Sequence, residues 1–158
     1  MSIQPKDLNY VQNVNLQEYM GTWYAVKEIP SYLGVPPFGY DSTKFVNETA
    51  TYILNDDGTV NVINTAYVDG VRTAVEGTAR QVDVGKIEVS FFFGFWAPYQ
   101  IIGLDEGYRW AVVGSPDHNH LWYLAREPSL SAVQLAKMDF IAEANGFDVN
   151  RLVLVKQA

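Results

Sequence analysis

The sequence predicts an all-β fold in which eight antiparallel strands, joined in up-and-down order, close into a barrel with one C-terminal α-helix packed outside it and a short final strand. Strand-forming stretches recur along the chain, and turn sequences such as Asp56-Asp57-Gly58 separate them. Helical spacing of apolar residues occurs in the segment 131–145. Because closure removes the two edge strands of a meander, we expect a barrel over residues 20–128 rather than the alternative, a two-sheet sandwich.

Composition fits one folded domain that spans residues 1–158. Hydrophobic residues make up 48% of the chain and charged residues 18%, which is typical of a globular protein with a real core. The net charge of −7 and the lack of a basic stripe exclude a nucleic-acid-binding surface. The chain contains no cysteine, which excludes disulfides, thiolate catalysis and cysteine-based metal sites. No segment is long and apolar enough to span a membrane.

The first expected strand, 23–29, follows Gly21 and is stopped by Pro30. Side chains alternate between the two faces of a strand, so Lys27 is expected on the same face as Trp23. Neither face is purely polar, which predicts that both are at least partly covered. A large indole directly after a glycine turn needs a buried place, and we expect Trp23 to supply part of the core.

Seven more strands follow, separated by tight turns. Their expected ranges are 50–55, 59–67, 71–82, 86–92, 99–104, 109–114 and 120–126. The aromatic stretch 93–98 is expected to form a turn. Beyond the last of these strands, Ser131 is a good N-cap that can form a capping box with Gln134, and Gly146 stands where a helix C-cap glycine belongs. A short strand, 151–155, ends the chain.

The helix needs an apolar surface to pack against. Tyr24 and Val26 alternate with the inward residues of the first strand, so they offer such a surface on the outside of the barrel. We therefore expect the helix to pack there.

No catalytic or metal site is evident in the sequence. A His-x-His pair, His118 and His120, can bind a metal ion on a strand, but no third ligand is obvious, and a solvated turn is the expected structure. Ser115 lacks the context of a nucleophile elbow. Three glutamates show no paired spacing that indicates acid–base catalysis: Glu18, Glu28 and Glu48. The sequence predicts no catalytic residue, no metal, no cofactor and no enzymatic activity.

Several blocks resemble the lipocalin family, and within it the bacterial lipocalin and apolipoprotein D group. The blocks occur in the family's order from about Tyr10 to Val155, which makes the set much more specific than any one of them. They are Gly21-Thr22-Trp23-Tyr24, Asn47-Glu48-Thr49-Ala50-Thr51-Tyr52 with Asp56-Asp57-Gly58, Val89-Ser90-Phe91-Phe92, Leu104-Asp105-Glu106-Gly107-Tyr108-Arg109, Tyr108-Arg109-Trp110-Ala111-Val112-Val113 and Leu121-Trp122-Tyr123-Leu124-Ala125-Arg126-Glu127-Pro128.

The resemblance implies a barrel, open at one end, that carries a small hydrophobic molecule. It implies that Trp23 closes the barrel floor and that Arg126 packs across its indole, a cation–π contact. Gly21 and Asp105 belong to the same structural motifs. The family pattern also implies the periplasm or the outer membrane, although the sequence contains neither a signal segment nor a lipidated cysteine. The segment 36–44 departs from the family.

Strand alternation and the family's inward positions together predict the ligand-binding residues. They are Lys27, Ala50, Tyr52, Val62, Asn64, Val75, Val89, Phe91, Tyr99, Ile101, Val113, Trp122 and Leu124, with Gly77 and Ala111 as small inward residues that leave volume. The alternative is that these side chains simply fill the barrel. Lys27 is the unusual member, because it can hold a carboxylate or phosphate near the mouth. A different strand register or a salt bridge is the alternative for Lys27.

An aromatic rim is expected at the open end, in part from the long loop 31–41. Its members are Tyr32, Phe38, Phe93, Phe95 and Trp96. Such a group can grip a ligand chain, make peripheral contact with a membrane or form a homodimer face. The predicted function is the binding and transport or storage of a fatty acid or lysophospholipid. The alternatives are an enzyme that acts on a bound lipid or pigment in the same cavity, and an interaction module that uses the rim.

Overall fold

The computed structural model describes residues 5–30, 32–33, 40–92 and 94–158, without the side chains of residues 32, 33, 40 and 92. Its strands are β1 Gly21–Glu28, β2 Tyr32–Leu33, β3 Tyr40–Asp41, β4 Val46–Leu54, β5 Val60–Val68, β6 Val71–Asp83, β7 Lys86–Phe92, β8 Phe95–Leu104, β9 Trp110–Gly114, β10 Leu121–Ala125 and β11 Val153–Leu154. Its α-helices are α1 Leu16–Tyr19 and α2 Ala132–Ala144, and single 3₁₀ turns cover Ser42–Lys44 and Val149–Arg151.

Eight of these strands form a closed antiparallel barrel, as predicted. The strands β4 to β10 pair in chain order, and β1 closes the ring because it pairs with both β4 and β10. The short strand β11 adds to β1, and β2 pairs only with β3. Two expected boundaries are wrong. Strand β4 begins at Val46 and not at residue 50. Strand β8 begins at Phe95, so most of the aromatic stretch expected as a turn is strand.

The hairpin turns follow from their sequences. Asp69 and Gly70 have φ values of 52° and 78°, the left-handed pair that a two-residue type I′ turn requires. Gly58 ends the preceding turn with φ 89°. These local turns set the register of the strands on either side of them.

Helix α2 packs on the outside of β8 and β9. Met138 and Ala142 are fully buried there, in a cluster that includes Trp110. The hydroxyl of Tyr123 donates a hydrogen bond to Asp139 on the helix, with an O–O distance of 2.7 Å. The capping box at the start of the helix is present.

The helix does not cover Tyr24 and Val26, and that expectation is wrong. The close approach to β8 depends on Gly103, where a β-carbon would lie 2.9 Å from the Cδ1 atom of Ile141. Near Val26, the barrel is covered instead by the C-terminal segment, whose Val155 amide donates to the Val26 carbonyl at 2.9 Å.

The closed end of the barrel is built around Trp23. Its indole is fully buried and donates from Nε1 to the carbonyl of Tyr19 at 2.8 Å. The guanidinium of Arg126 lies 3.7 Å from the indole centroid. Arg126 also donates to the carbonyls of Glu18 at 2.8 Å and Thr22 at 3.2 Å. Arg126 thus joins helix α1, strand β1 and the end of β10 at the floor.

Candidate functional site

Three tyrosines fill the lower half of the barrel. The hydroxyl of Tyr99 lies 2.7 Å from that of Tyr19 and 2.9 Å from that of Tyr52, so the three groups form one hydrogen-bonded chain. Burial raises the pKa of each of these hydroxyls, and all three stay protonated at neutral pH. The cavity beside them measures about 20 Å³, which holds about one water and no lipid chain. This cavity is therefore too small for a lipid chain beside the tyrosines.

The upper half of the barrel is open on the side of β6 and β7. One row of cross-strand pairs runs across β1, β4, β5 and β6 and consists of Trp23, Ala50, Asn64 and Val75. Directly opposite residues share a face of the sheet, so the whole row lies on the inner wall. Trp23 is fully buried at one end of the row, whereas Val75 at the other end is 56% exposed. The inner wall is thus apolar and open to solvent there.

We call this open region the bowl. Among the described residues, its inner wall includes Glu28, Glu48, Asn64, Val75, Phe91 and Trp122. Phe91 lies over the backbone of Gly77, where a β-carbon would come within 2.7 Å of the ring. Phe91 is 37% exposed, so it presents part of its ring to the bowl.

Nearly all of the predicted ligand-binding residues lie on the inner wall. Nine belong to the inner core or pack against it: Ala50, Tyr52, Val62, Val89, Tyr99, Ile101, Val113, Trp122 and Leu124. The pairing rows place Asn64 and Val75 beside them, and Gly77 holds Phe91 on the same wall. Their contact with a ligand remains a prediction.

Lys27 is the exception, and its expected inward position is wrong. Strand β1 contains a bulge at Val26, because Ala25 pairs with Leu124 while Lys27 pairs with the next residue, Tyr123. Tyr123 belongs to the outer core under the helix. One extra residue exchanges the two faces of a strand, so Lys27 lies outside the barrel.

The same bulge turns Glu28 inward. Glu28 pairs with Trp122, which packs against the inner core. It is only 1% exposed, and its Oε1 atom has no hydrogen-bond partner among the described residues. The alternation of side chains along the strand does not predict an inward Glu28, because a bulge cannot be recognised from alternation alone.

Glu48 meets Glu28 from strand β4. A second bulge lies between Val46 and Thr49, at Asn47, whose φ of 55° is left-handed. The Glu48 carboxyl is hydrogen-bonded to that of Glu28. Burial and, next to it, the hydrogen bond and charge of Glu28 raise the pKa of Glu48 well above its usual value, so the pair shares a proton at neutral pH. Alternation from Ala50 was a signal in the sequence for an inward Glu48.

The C-terminal segment fills the gap in which β1 and β4 separate. These strands pair only from Gly21 to Tyr24. Beyond that point, Gln157 donates from Nε2 to the carbonyls of Ala25 at 2.8 Å and Glu48 at 3.1 Å. Val155 is buried in the inner core. The last residues of the chain therefore complete the wall on which the two carboxyls stand, a role that the sequence did not indicate.

The two histidines serve packing. His118 forms a hydrogen bond from Nε2 to the Asn145 carbonyl at 2.7 Å, which ties its turn to the end of helix α2, and it is not a fully solvated residue. His120 stacks on Trp122 with a centroid distance of 5.6 Å. Within the part of the chain that the structure describes, no three His, Cys, Asp or Glu side chains cluster as metal ligands, and no helix has the length and apolarity to cross a membrane.

The predicted rim is only partly within the described residues. Phe95 is 67% exposed at the start of β8. The Trp96 ring lies 3.8 Å from the Arg80 guanidinium, which pairs with Glu88. Of the other members, Phe38 and Phe93 lie outside the described residues, as does the side chain of Tyr32.

Comparisons with known proteins agree on one family. A model described as a lipocalin-like domain matches residues 14–157. The outer membrane lipoprotein Blc of Citrobacter freundii is 37% identical, with 97% of this chain and 85% of that protein covered. Apolipoprotein D of Rattus norvegicus is 28% identical, with 93% and 79% covered. The crystal structure of the cockroach allergen Per a 4 has a TM-score of 0.72 at 19% identity, covers 99% of this chain and 94% of its own, and supports the fold.

Proposed function

This chain belongs to the lipocalin family, and on that premise we propose that its barrel binds one small hydrophobic ligand in the bowl and carries or stores it. The observation that supports this proposal is the exposed apolar part of the inner wall above the tyrosines. Val75 and Phe91 face the inside of the barrel, yet both are exposed. Apolar side chains that stay exposed on a concave inner wall gain free energy when a ligand covers them.

The ligand class that we propose is a lipid with a single apolar chain, such as a fatty acid or a lysophospholipid. Each buried methylene contributes about 0.8 kcal/mol, so about ten of them give about 8 kcal/mol before the cost of association. Without that cost the value would correspond to a micromolar dissociation constant, so the dissociation constant itself is expected to be larger. Because Lys27 lies outside the barrel, it does not hold the head group of such a lipid inside the bowl, and a fatty-acid carboxylate is expected to stay in solvent.

The family also bears on the alternative of an enzyme. Lipocalins related to this chain are generally binding proteins without enzymatic activity. The hydroxyls of Tyr19, Tyr52 and Tyr99 bond to one another rather than to an approaching ligand. We therefore propose binding without chemical change of the ligand.

A binding titration with a fluorescent fatty acid tests the proposal. We expect saturable one-to-one binding to the parent. Val75→Trp fills the bowl and should weaken binding at least tenfold, since its indole occupies the volume of the chain. The matched control is Ile53→Trp, because Ile53 is 48% exposed on the outer wall and should leave the affinity within about twofold. The proposal fails if the parent shows no saturable binding, or if both tryptophan variants bind as the parent does.

A further inference from the structure

Two buried carboxylate oxygens in the bowl have no hydrogen-bond partner in the part of the chain that the structure describes. They are Oε1 of Glu28 and Oε2 of Glu48. An unpaired buried polar atom costs free energy, and a pair of buried acids is commonly less stable than apolar residues of the same volume. Buried polar groups in native proteins are nearly always hydrogen-bonded, so these two oxygens need an explanation. The shared proton joins the two carboxyls to each other and leaves the outer oxygens free.

Irregular backbone turns the Glu28 carboxyl toward the bowl and immediately precedes the Glu48 carboxyl in β4. The bulge at Val26 exchanges the faces of β1, and the bulge at Asn47 displaces the start of β4. Bulges that re-aim side chains occur often beside functional sites. The side-chain amide of Gln157 donates a hydrogen bond to the carbonyl of Glu48, so the C-terminal segment fixes the backbone of this acid. Two strands are thus bent so that their acids meet on the inner wall.

We propose that Glu28 and Glu48 form the polar subsite of the bowl and bind the ammonium group of a small apolar primary amine. This inference rests on the proposed binding of a ligand with one apolar chain in the bowl, and it replaces the carboxylate head group of a fatty acid with an ammonium group. A primary ammonium carries three N–H donors, which are enough to satisfy both free oxygens. The indole of Trp122 pairs directly with Glu28 and can contact the same cation. The apolar part of the amine then lies over Val75 and Phe91.

The charges around the subsite favour a cation over an anion. Lys27 lies on the outer wall. Among the described residues, the Tyr52 hydroxyl lies close enough for the charge of Glu48 to act on it, and the His120 ring stacks on Trp122, the cross-strand partner of Glu28. A ligand carboxylate would meet two acids, whereas an ammonium replaces their shared proton and allows both to ionise. Two carboxyls also suit an ammonium better than a metal ion, which needs more ligands than the described residues bring together here.

Three probes share an alkyl chain of the same length and differ in head group: decylamine, decanol and decanoate. Their comparison separates the contribution of the head group to binding from that of the alkyl chain. Calorimetric titration of the parent at pH 7 should show decylamine binding at least tenfold more tightly than decanol, since hydrogen bonds to charged groups contribute about 1.5–3 kcal/mol. Decanoate should bind most weakly. Glu28→Gln and Glu48→Gln should each bring the affinity for decylamine close to that for decanol while they leave decanol within about twofold. Glu76→Gln, which removes an exposed acid, is the matched control.

The outcomes are distinct. Equal affinities of the parent for decylamine and decanol, or an unchanged preference in both glutamine variants, overturn the assignment and leave the proposed function standing. A parent that binds none of the three probes and no fluorescent fatty acid contradicts the proposed function itself.

Proton release gives a second test that requires no substitution of Glu28 or Glu48, so it applies even if those variants do not fold. Calorimetry in two buffers of different ionisation enthalpy should show that decylamine displaces up to one proton at pH 7 and that decanol displaces none. The parent and His120→Gln should release the same amount if the proton comes from the carboxyls. Equal proton release by the two probes, or release that depends on His120, overturns the assignment.

Discussion

The pH dependence of stability should reveal the shared proton of Glu48. The pKa of an ordinary glutamate is 4.5, and in the folded protein that of Glu48 lies well above it, first because of burial and then because of Glu28. Between these two pKa values the folded state holds one more proton than the unfolded state. The contribution of this proton to the free energy of unfolding is therefore complete below about pH 4.5, and it is lost as the pH rises toward the folded pKa.

The magnitude follows from the linkage relation. One proton changes the free energy of unfolding by about 1.4 kcal/mol per pH unit, so the upper limit between pH 5 and pH 8 is about 4 kcal/mol. Glu48 is not fully buried, and solvent reduces the effect. We expect about 2 kcal/mol. Glu48→Gln cannot release this proton, and its amide can donate to the Glu28 carboxylate in place of it.

Urea unfolding followed by tryptophan fluorescence at pH 5, 6, 7 and 8 measures this difference. The stability of Glu48→Gln should increase relative to the parent by about 2 kcal/mol over this range. Acids whose pKa is lowered, such as Asp105 beside Arg109, act in the opposite direction below about pH 4 and contribute equally to both proteins. The control Glu76→Gln should follow the parent. A difference between the parent and Glu48→Gln that stays constant within about 0.5 kcal/mol from pH 5 to pH 8 would refute the shared proton.

Three further changes test the floor and the inner wall. Arg126→Lys loses the planar contact with Trp23 and several carbonyl bonds, and urea unfolding should show a loss of about 2 kcal/mol. Tyr99→Phe removes the hydroxyl that joins the other two tyrosines, which should lower the same free energy by about 1–3 kcal/mol. In Gly77→Ala the new β-carbon would lie 2.6 Å from a carbonyl oxygen of the next strand. This overpacking should cost about 1–3 kcal/mol and displace the Phe91 ring, so fluorescent fatty acid should also bind more weakly. Unchanged unfolding curves would contradict each of these expectations.

The parts of the fold that could be predicted from the sequence depend on local chemistry. The left-handed pair Asp69-Gly70 requires no information from the rest of the chain, and neither does the capping box between Ser131 and Gln134. The position of helix α2 could not be predicted in this way. It depends on Gly103, whose missing side chain leaves room for Ile141 of the helix. This contact is between residues far apart in sequence, so the local sequence around Gly103 does not reveal it.

The inner wall was predictable as far as the strands stay regular. Alternation places Val62 and Val89 correctly because the strands around them keep their pairing. It fails for Lys27, because the choice between a regular strand and a bulge is made by the pairing of β1 with β10 and with the C-terminal segment. A family resemblance does not correct this error. It transfers the positions of the motif residues, such as Trp23, but it does not show whether a bulge follows them in the strand.

The bulge that reverses Lys27 and Glu28 also changes the chemistry expected of the ligand. A regular strand would place an ammonium inside the bowl and an acid outside, which favours fatty acids and phosphates. The bulged strand does the opposite, and alternation in β4 places a second acid, Glu48, at the same place. A barrel that only needed stability would have an apolar residue at both positions, because the apolar pair has no oxygen to desolvate. The two glutamates are therefore best explained by a ligand that supplies the missing donors, and the head group of that ligand follows from one extra residue in strand β1.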